Sequence, residues 1–127
     1  DVGTPIAVGA MLPAPGQAII ASAARAGDDA VLGRLAAVSD AGAMTALVAE
    51  RAFAAALGGS CHSPVAAYAE PHGAGFRLRA EILGPDGQER IAGETHFPDS
   101  DAASAAVTLA KTLLNRASPA LRSLFVA

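Results

Sequence analysis

The chain has 127 residues with a formal net charge of -3, and 52% of its residues are hydrophobic. This length suits one ordinary domain rather than two complete ones, and the acidic balance argues against nucleic acid as a partner. A single cysteine excludes an internal disulfide, and no apolar run of about 18 residues marks a membrane span, so we expect a cytoplasmic protein. Since the chain begins at Asp1, we expect either a removed leader or a larger parent protein.

Two short apolar runs come first, Pro5 to Leu12 before the breaker PAPG and Ala18 to Arg25 before AGDD. Both are compatible with β-strands, but neither has an obvious partner strand in this sequence. Asp28 and Asp29 then favour the start of a helix that continues to about Val38, because carboxylates complement the exposed amides of a helix N-terminus.

A second helix is predicted from Ala41 to Leu57, with Ser39 and Asp40 as its capping residues. Its apolar residues point in several directions around the axis, so we expect neighbours to cover it on more than one side. Gly58 and the glycine after it then end the helix.

After residue 63 the hydrophobic period changes to two, which indicates strands at 64–70, 75–83 and 88–97. The middle strand alternates inward apolar with outward charged residues, and the turn sequences HGAG and GPDG flank it. We expect these strands to form an antiparallel meander. The outward residues of the middle strand are Arg77, Arg79 and Glu81.

A third helix is predicted over 101–116 with Ser100 as its cap, and a short helix over 119–126 adds Leu121, Leu124 and Phe125 to the core. From about Asp40 onward the sequence therefore predicts an α+β domain, a three-stranded antiparallel sheet covered by helices. The face of the third helix toward the sheet comprises Ala102, Ala103, Ala106, Val107, Leu109, Ala110, Leu113 and Leu114.

Cys61 is the only thiol, in the turn between the second helix and the first strand. A free cysteine is commonly a small buried hydrophobe, but a Gly-Gly-Ser turn favours a thiol that projects from the backbone. A position after a helix C-terminus does not lower the pKa of a thiol, and His62 should point to the opposite face. A Cys61–His62 catalytic pair is therefore not expected.

The remaining polar residues offer no recognisable catalytic or metal site. His62, His72 and His96 lack metal-ligand spacing with one another or with the cysteine, so we expect turn or surface histidines. For Glu50 and Arg51 we expect an ion pair or a cap within a packed interface rather than catalysis. The run GAGFRLRAEILG is not a dinucleotide fingerprint, because its glycines precede a strand.

Three runs, LPAPGQ (12–17), AERAFAAALGGSCHSPVAAYAE (49–70) and LRAEILGPDGQERIAGE (78–94), closely resemble the C-terminal part of porphobilinogen deaminase, also called hydroxymethylbilane synthase. The resemblance covers nearly the whole chain in order. In that family the cysteine of the middle run, here Cys61, carries a dipyrromethane cofactor through a thioether. The resemblance implies an enzyme that joins four porphobilinogen units, with loss of ammonia, into a linear tetrapyrrole on this primer.

The resemblance also implies how the chain is divided. Residues 1–12 would be the tail of a second α/β lobe, 13–38 a segment returning to the first lobe, and 39–127 the cofactor-carrying third domain. The catalytic aspartate and the arginines that bind substrate carboxylates belong to the first two lobes. We therefore expect no catalytic residue here, and we expect the chain alone to be inactive without those lobes.

Gln17 matches a position that approaches the pyrroles, so Gln17 and Ala18 are candidate pyrrole contacts. Ala18 replaces the glycine usual in the family, and Ala23 replaces a common acidic residue. A side chain at Ala18 is expected to crowd that wall of the site.

Two alternatives remain open at this stage. One is a non-catalytic α+β ligand-binding or interaction module descended from the same domain, with Cys61 as a core or redox thiol. The other is an oligomer in which the unpartnered apolar runs pair between chains.

Overall fold

The computed structural model describes residues 3–58 and 62–125 and has the predicted α+β architecture. A 3-10 turn at Asp99–Asp101 precedes the third helix. In chain order the helices and strands are α1 (Asp29–Ala36), α2 (Ala41–Ala56), β1 (Val65–His72), β2 (Gly75–Leu83), β3 (Arg90–Phe97), α3 (Ala102–Arg116) and α4 (Pro119–Arg122).

The three strands form the predicted antiparallel meander in the order β1, β2, β3. His72 pairs with Gly75 at the first hairpin, and Leu83 pairs with Arg90 at the second. This register places alternate residues of each strand on the helix side, so the period-two pattern in the sequence sets which face is buried.

One face of the sheet is covered by two helices, because α2 lies over β1, α3 lies over β3, and the two helices pack against each other. Phe53, Leu78 and Leu113 are fully buried between these layers. At Gly93 a Cβ atom would lie 2.9 Å from Leu113 Cδ2, so the missing side chain lets α3 approach β3 closely. Small side chains fill much of the remaining core, among them Ala49, Ala67, Ala80, Ala106 and Ala110.

The predicted helix caps are partly confirmed. Asp28 accepts a hydrogen bond from the Val31 amide at 3.1 Å, and Asp40 accepts one from the Ala43 amide at 2.9 Å. The prediction for Ser100 is wrong, because the 3-10 turn moves the start of α3 to Ala102. The Ser100 hydroxyl instead donates to the Asp101 carboxylate at 2.9 Å.

The two N-terminal apolar runs are not strands in the part of the chain that the structure describes. The first contains a turn in which the amides of Ala10 and Met11 both donate to the Ala7 carbonyl. An isolated strand leaves its backbone groups without partners, and β1 to β3 do not extend to these runs. In the first run a local turn therefore replaces the sheet hydrogen bonds, and most of the second run has no regular secondary structure.

Helix α2 is covered on the side that faces α3 and β1, whereas Met44 and Val48 are 56% and 41% exposed. The expectation of burial on several sides is therefore only partly met by the described residues. Among residues 3–58 and 62–125 no single helix is long and apolar enough to cross a membrane. Helices α1 and α2 meet those criteria only as a pair bent by 97°.

The C-terminal segment is less helical than predicted. Helix α4 ends at Arg122, and Val126 lies outside the described residues. Leu121 and Phe125 are buried as expected, but Leu124 is 44% exposed, which corrects its assignment to the core. Ala103 in α3 is likewise exposed rather than part of the buried face.

The outer face of the sheet carries a charge network rather than freely solvated side chains. Arg77 and Arg79 both donate to Glu70 Oε1, at 2.6 and 3.1 Å, and the Arg79 guanidinium lies 5.5 Å from the Tyr68 ring centre. Glu81 was predicted to face water but is buried, because the Arg90 side chain covers it in an ion pair.

Candidate functional site

Cys61 lies outside the described residues, so the geometry bearing on it is that of the residues on either side. On the helix side, Gly58 has a φ of +71°, and a Cβ there would lie 2.6 Å from the Phe125 carbonyl oxygen. Only glycine satisfies both the left-handed conformation and this close approach. The end of α2 is therefore packed directly against the C-terminal segment.

On the strand side, the chain is fixed to the sheet before β1 begins. The Leu83 amide donates to the Pro64 carbonyl at 3.0 Å, which extends the β1–β2 pairing by one residue. His62 is exposed, as predicted for a turn histidine. The segment 59–61 thus connects two well-anchored ends.

Residues 13–19 form two successive turns that include both candidate pyrrole contacts. The Gln17 amide donates to the Ala14 carbonyl at 3.1 Å across Pro15 and Gly16, whose φ is +75°. This is the residue pattern of a type II turn, with proline second and glycine third. Gln17 and Ala18 are both exposed.

The second turn places alanine in a conformation that favours glycine. The Ile19 amide donates to the Gly16 carbonyl at 3.3 Å, and Ala18, third in this turn, has a φ of +66°. The left-handed region brings Cβ of an L-residue too close to the backbone. This gives a physical reason for a glycine at this position and shows that Ala18 is strained.

Glu50 is the central link between this turn and the domain. Its Oε2 accepts from the Gly16 amide at 2.7 Å, and its Oε1 accepts from the Ala69 amide in β1 at 2.8 Å. The neighbouring Ala67 amide donates to the Pro13 carbonyl at 3.0 Å. One carboxylate on α2 thus holds the turn and the edge strand together.

Glu50 is only 5% exposed. Burial raises the pKa of the Glu50 carboxyl, while the hydrogen bonds from Ala69 and Gly16 act in the opposite direction. No ion pair of Glu50 with Arg51 is found among the described residues, and Arg51 is exposed. The predicted interface role of Glu50 is therefore fulfilled by two backbone amides.

This role could have been suspected from the sequence. Glu50 falls in the same helical arc as Ala46, Ala49 and Phe53, which are buried. A carboxylate in such an arc needs hydrogen-bond donors at the interface. The donors themselves could not be predicted, since they are backbone amides of two distant segments.

An apolar cavity of about 450 Å³ lies beside the second turn, between α1 and α2. It is open on one side, and Ile20, Val38 and Met44 around it are 95%, 79% and 56% exposed. Such a concentration of exposed apolar side chains is typical of a surface that another protein segment covers. Its lining includes Ala18, Ile19, Leu35, Val38, Met44 and Leu47.

No group of three or more potential metal ligands occurs within residues 3–58 and 62–125. The sheet does bring together two of the histidines, since the ring centres of His72 and His96 are 4.8 Å apart. Sequence spacing gave no sign of this pair, because the proximity of the two histidines depends on the register of the strands.

An α+β domain in which helices cover one face of a three-stranded antiparallel sheet is consistent with the C-terminal domain of the family that the sequence resembles. The family model for the porphobilinogen deaminase C-terminal domain matches residues 44–115. The chain belongs to the porphobilinogen deaminase family, of which it contains the C-terminal domain.

Relatives named porphobilinogen deaminase support this assignment. The protein of Paracoccus denitrificans is 47% identical over 107 residues, covering 84% of this chain and 34% of the relative. That of Sphingopyxis alaskensis is 42% identical over 126 residues, covering 98% of this chain and 39% of the relative. The chain thus spans little more than a third of the length of these relatives.

Proposed function

We propose that this chain is the C-terminal part of a hydroxymethylbilane synthase. In this proposal the whole protein joins four porphobilinogen units, with loss of ammonia, into a linear tetrapyrrole on a dipyrromethane primer bound to Cys61. The observation that carries the proposal is the family match over residues 44–115, which includes the only cysteine of the chain. The relatives' name, porphobilinogen deaminase, supports the substrate and the loss of ammonia.

Cys61 would hold the primer through a thioether, which requires a thiol and no metal or basic partner. A permanent attachment point needs fixed neighbours, and the chain supplies them in the Gly58–Phe125 contact and in the hydrogen bond from Leu83 to Pro64. When bound, the dipyrromethane supplies the pyrrole to which new units are added. The protein residues beside it would bind and orient the pyrroles.

Gln17 and Ala18 are proposed to contact the pyrroles. Both are exposed, and their turn is attached through Glu50 to α2, the helix that leads toward Cys61. Because Glu50 holds the Gly16 amide, a displacement of its carboxylate would move the turn. Glu50 is thus proposed to set the position of this contact surface relative to the domain.

The missing first and second lobes are proposed to contribute the catalytic aspartate and the substrate-binding arginines. Residues 1–12 would then be the tail of the second lobe, 13–38 a segment returning to the first lobe, and 39–127 the third domain of a cytoplasmic enzyme. The exposed apolar residues Ile20, Val38 and Met44 support burial against such lobes. The chain alone would accordingly be inactive.

Mass spectrometry of the full-length protein tests the assignment of Cys61. Intact mass and peptide mapping should find a dipyrromethane adduct on the peptide that contains Cys61, and Cys61→Ala should remove it. An unmodified thiol in freshly purified, active protein would contradict the proposal. An unmodified thiol in protein without activity would favour the non-catalytic binding module.

Activity of the isolated chain is a separate test. Purified residues 1–127 should not consume porphobilinogen, whereas the full-length protein should consume it and release ammonia. Consumption by the isolated chain at a rate near that of the full-length protein would show that the lobes are not needed. Such a result would leave the assignment of Cys61 untouched.

A further inference from the structure

His72 and His96 come together at one end of the sheet although β2 separates their strands. His72 lies opposite Gly75 and His96 lies opposite Arg77, so both residues are on the outer face. Their ring centres are 4.8 Å apart, with planes inclined at 50°. Both residues are exposed, so the rings are accessible from solvent.

We propose that His72 and His96 together bind one late first-row divalent metal ion. An imidazole nitrogen binds Zn²⁺ at about 2.0 to 2.1 Å, which puts each ring centre roughly 3.2 Å from the ion. For angles at the metal between about 90° and 109°, two such rings have centres about 4.5 to 5.2 Å apart. The observed separation of 4.8 Å falls within this range.

The surroundings leave room for the other ligands. An open cavity of about 290 Å³ adjoins both rings, and Ala74, Gly75 and Pro98 form part of its wall. No third histidine, cysteine or carboxylate joins the pair within the part of the chain that the structure describes. Water would therefore complete the coordination.

Charge near the pair is largely balanced. Arg77 faces His96 across the strands and would oppose a cation, but its guanidinium donates to Glu70 at 2.6 Å. Glu70 is two residues before His72 on the same face of β1, so its carboxylate offsets the arginine. The site is thus not excluded by repulsion.

The ligand type sets the expected order of affinities. Imidazole suits copper, nickel and zinc, while magnesium and calcium prefer oxygen ligands. The Irving–Williams order then predicts that Cu²⁺ binds more tightly than Ni²⁺ or Zn²⁺. Mg²⁺ should not bind at this pair.

The test uses the full 127-residue chain with Cys61→Ser, which removes the competing thiol. Calorimetric titration with CuCl₂ should give a site that either His72→Ala or His96→Ala weakens by about tenfold or more, since one imidazole lacks the chelate advantage. His62→Ala is the matched control and should change the affinity less than twofold. Equal affinity in all three variants, or an equal loss with His62→Ala, would overturn the proposal.

A second measurement needs no histidine substitution. On addition of ZnCl₂, the NMR signals of the His72 and His96 imidazoles should shift together, and those of His62 should stay in place. Shifts confined to His62, or to only one imidazole of the pair, would show that the two rings do not share an ion.

Discussion

The Glu50 carboxylate accepts a hydrogen bond of 2.7 Å from the Gly16 amide, which joins the middle of a helix to a turn 34 positions away in sequence. The other carboxylate oxygen is bound to the Ala69 amide in β1. A charged group at this depth is tolerated because both of its oxygens have backbone donors. The conformation of residues 13–18 therefore depends on one side chain of α2.

Glu50→Gln should destabilise the chain by about 1 to 3 kcal/mol at neutral pH, because the amide has one acceptor oxygen for two donors and leaves a buried N–H unpaired. Chemical denaturation of the 127-residue chain measures the change. Glu94→Gln is the matched control, since Glu94 is exposed, and should stay within about 0.5 kcal/mol of the parent. Equal effects of the two substitutions would contradict the importance of the Glu50 hydrogen bonds.

The difference in stability between the parent and Glu50→Gln should depend on pH, and the pKa shift of Glu50 sets the direction of that dependence. Burial raises the pKa of Glu50 above its ordinary value of 4.5, so the folded chain binds more protons than the unfolded chain in the window above that value. The stability contributed by Glu50 is thus complete below pH 4.5 and decreases as the pH rises through the folded-state pKa. The difference in unfolding free energy between the parent and Glu50→Gln should shrink over this window. A growing difference would show that the hydrogen bonds outweigh burial.

Ala18→Gly should stabilise the chain by about 0.5 to 1 kcal/mol, because glycine removes the cost of a left-handed alanine but loses more entropy on folding. The φ of +66° at Ala18 is the basis for this expectation. Ala14→Gly is the control in the preceding turn, where φ is not positive, and it should destabilise. Thermal unfolding distinguishes the two signs. A thermal unfolding midpoint for Ala18→Gly below that of the parent would show that Ala18 is not strained.

Gly93→Ala should destabilise by about 1 to 3 kcal/mol, since the new methyl group would overpack the contact with Leu113 and Leu109. The nearest atoms are ends of flexible side chains, so the lower part of this range is expected. Gly33→Ala in α1 meets nothing within 4 Å and should stabilise instead, because alanine favours the helix. Urea unfolding of both variants gives the comparison, and destabilisation of similar size in both would argue against close packing at Gly93.

Glu70 should show a pH dependence opposite to that of Glu50. The hydrogen bond from Arg77 is the largest of the effects that lower the pKa of Glu70 below 4.5. Its contribution is present above pH 4.5 and is lost as the pH falls through the folded-state pKa. The parent should therefore lose its stability advantage over Glu70→Gln on acidification, and high salt should reduce the advantage at neutral pH. An advantage unchanged between pH 3 and 7 would contradict the ion pair.

The elements from α2 onward could be predicted from the sequence because their patterns are local. The alternation in β2, the turn residues around it and the apolar arc of α3 each specify one face toward the core. The caps at Asp28 and Asp40 were predictable for the same reason, whereas the 3-10 turn before α3 shifted the helix start away from Ser100.

The contacts that define the candidate site are not local and could not be predicted. The donors to Glu50 come from Gly16 and Ala69, and the approach of His72 to His96 depends on the pairing of both strands with β2. The absence of strands in the two N-terminal apolar runs was unpredictable for a different reason. Their composition suits strands, but a strand also requires a neighbouring edge.

The close contact between Gly58 and the Phe125 carbonyl has a consequence for the synthesis of the protein. Gly58 leaves the ribosome well before Phe125. The contact at the end of α2 therefore cannot form until residue 125 has emerged. Domains fold as units during translation, and this one therefore cannot finish folding from its N-terminal half alone. The end of α2 consequently reaches its final packing only after translation of the domain.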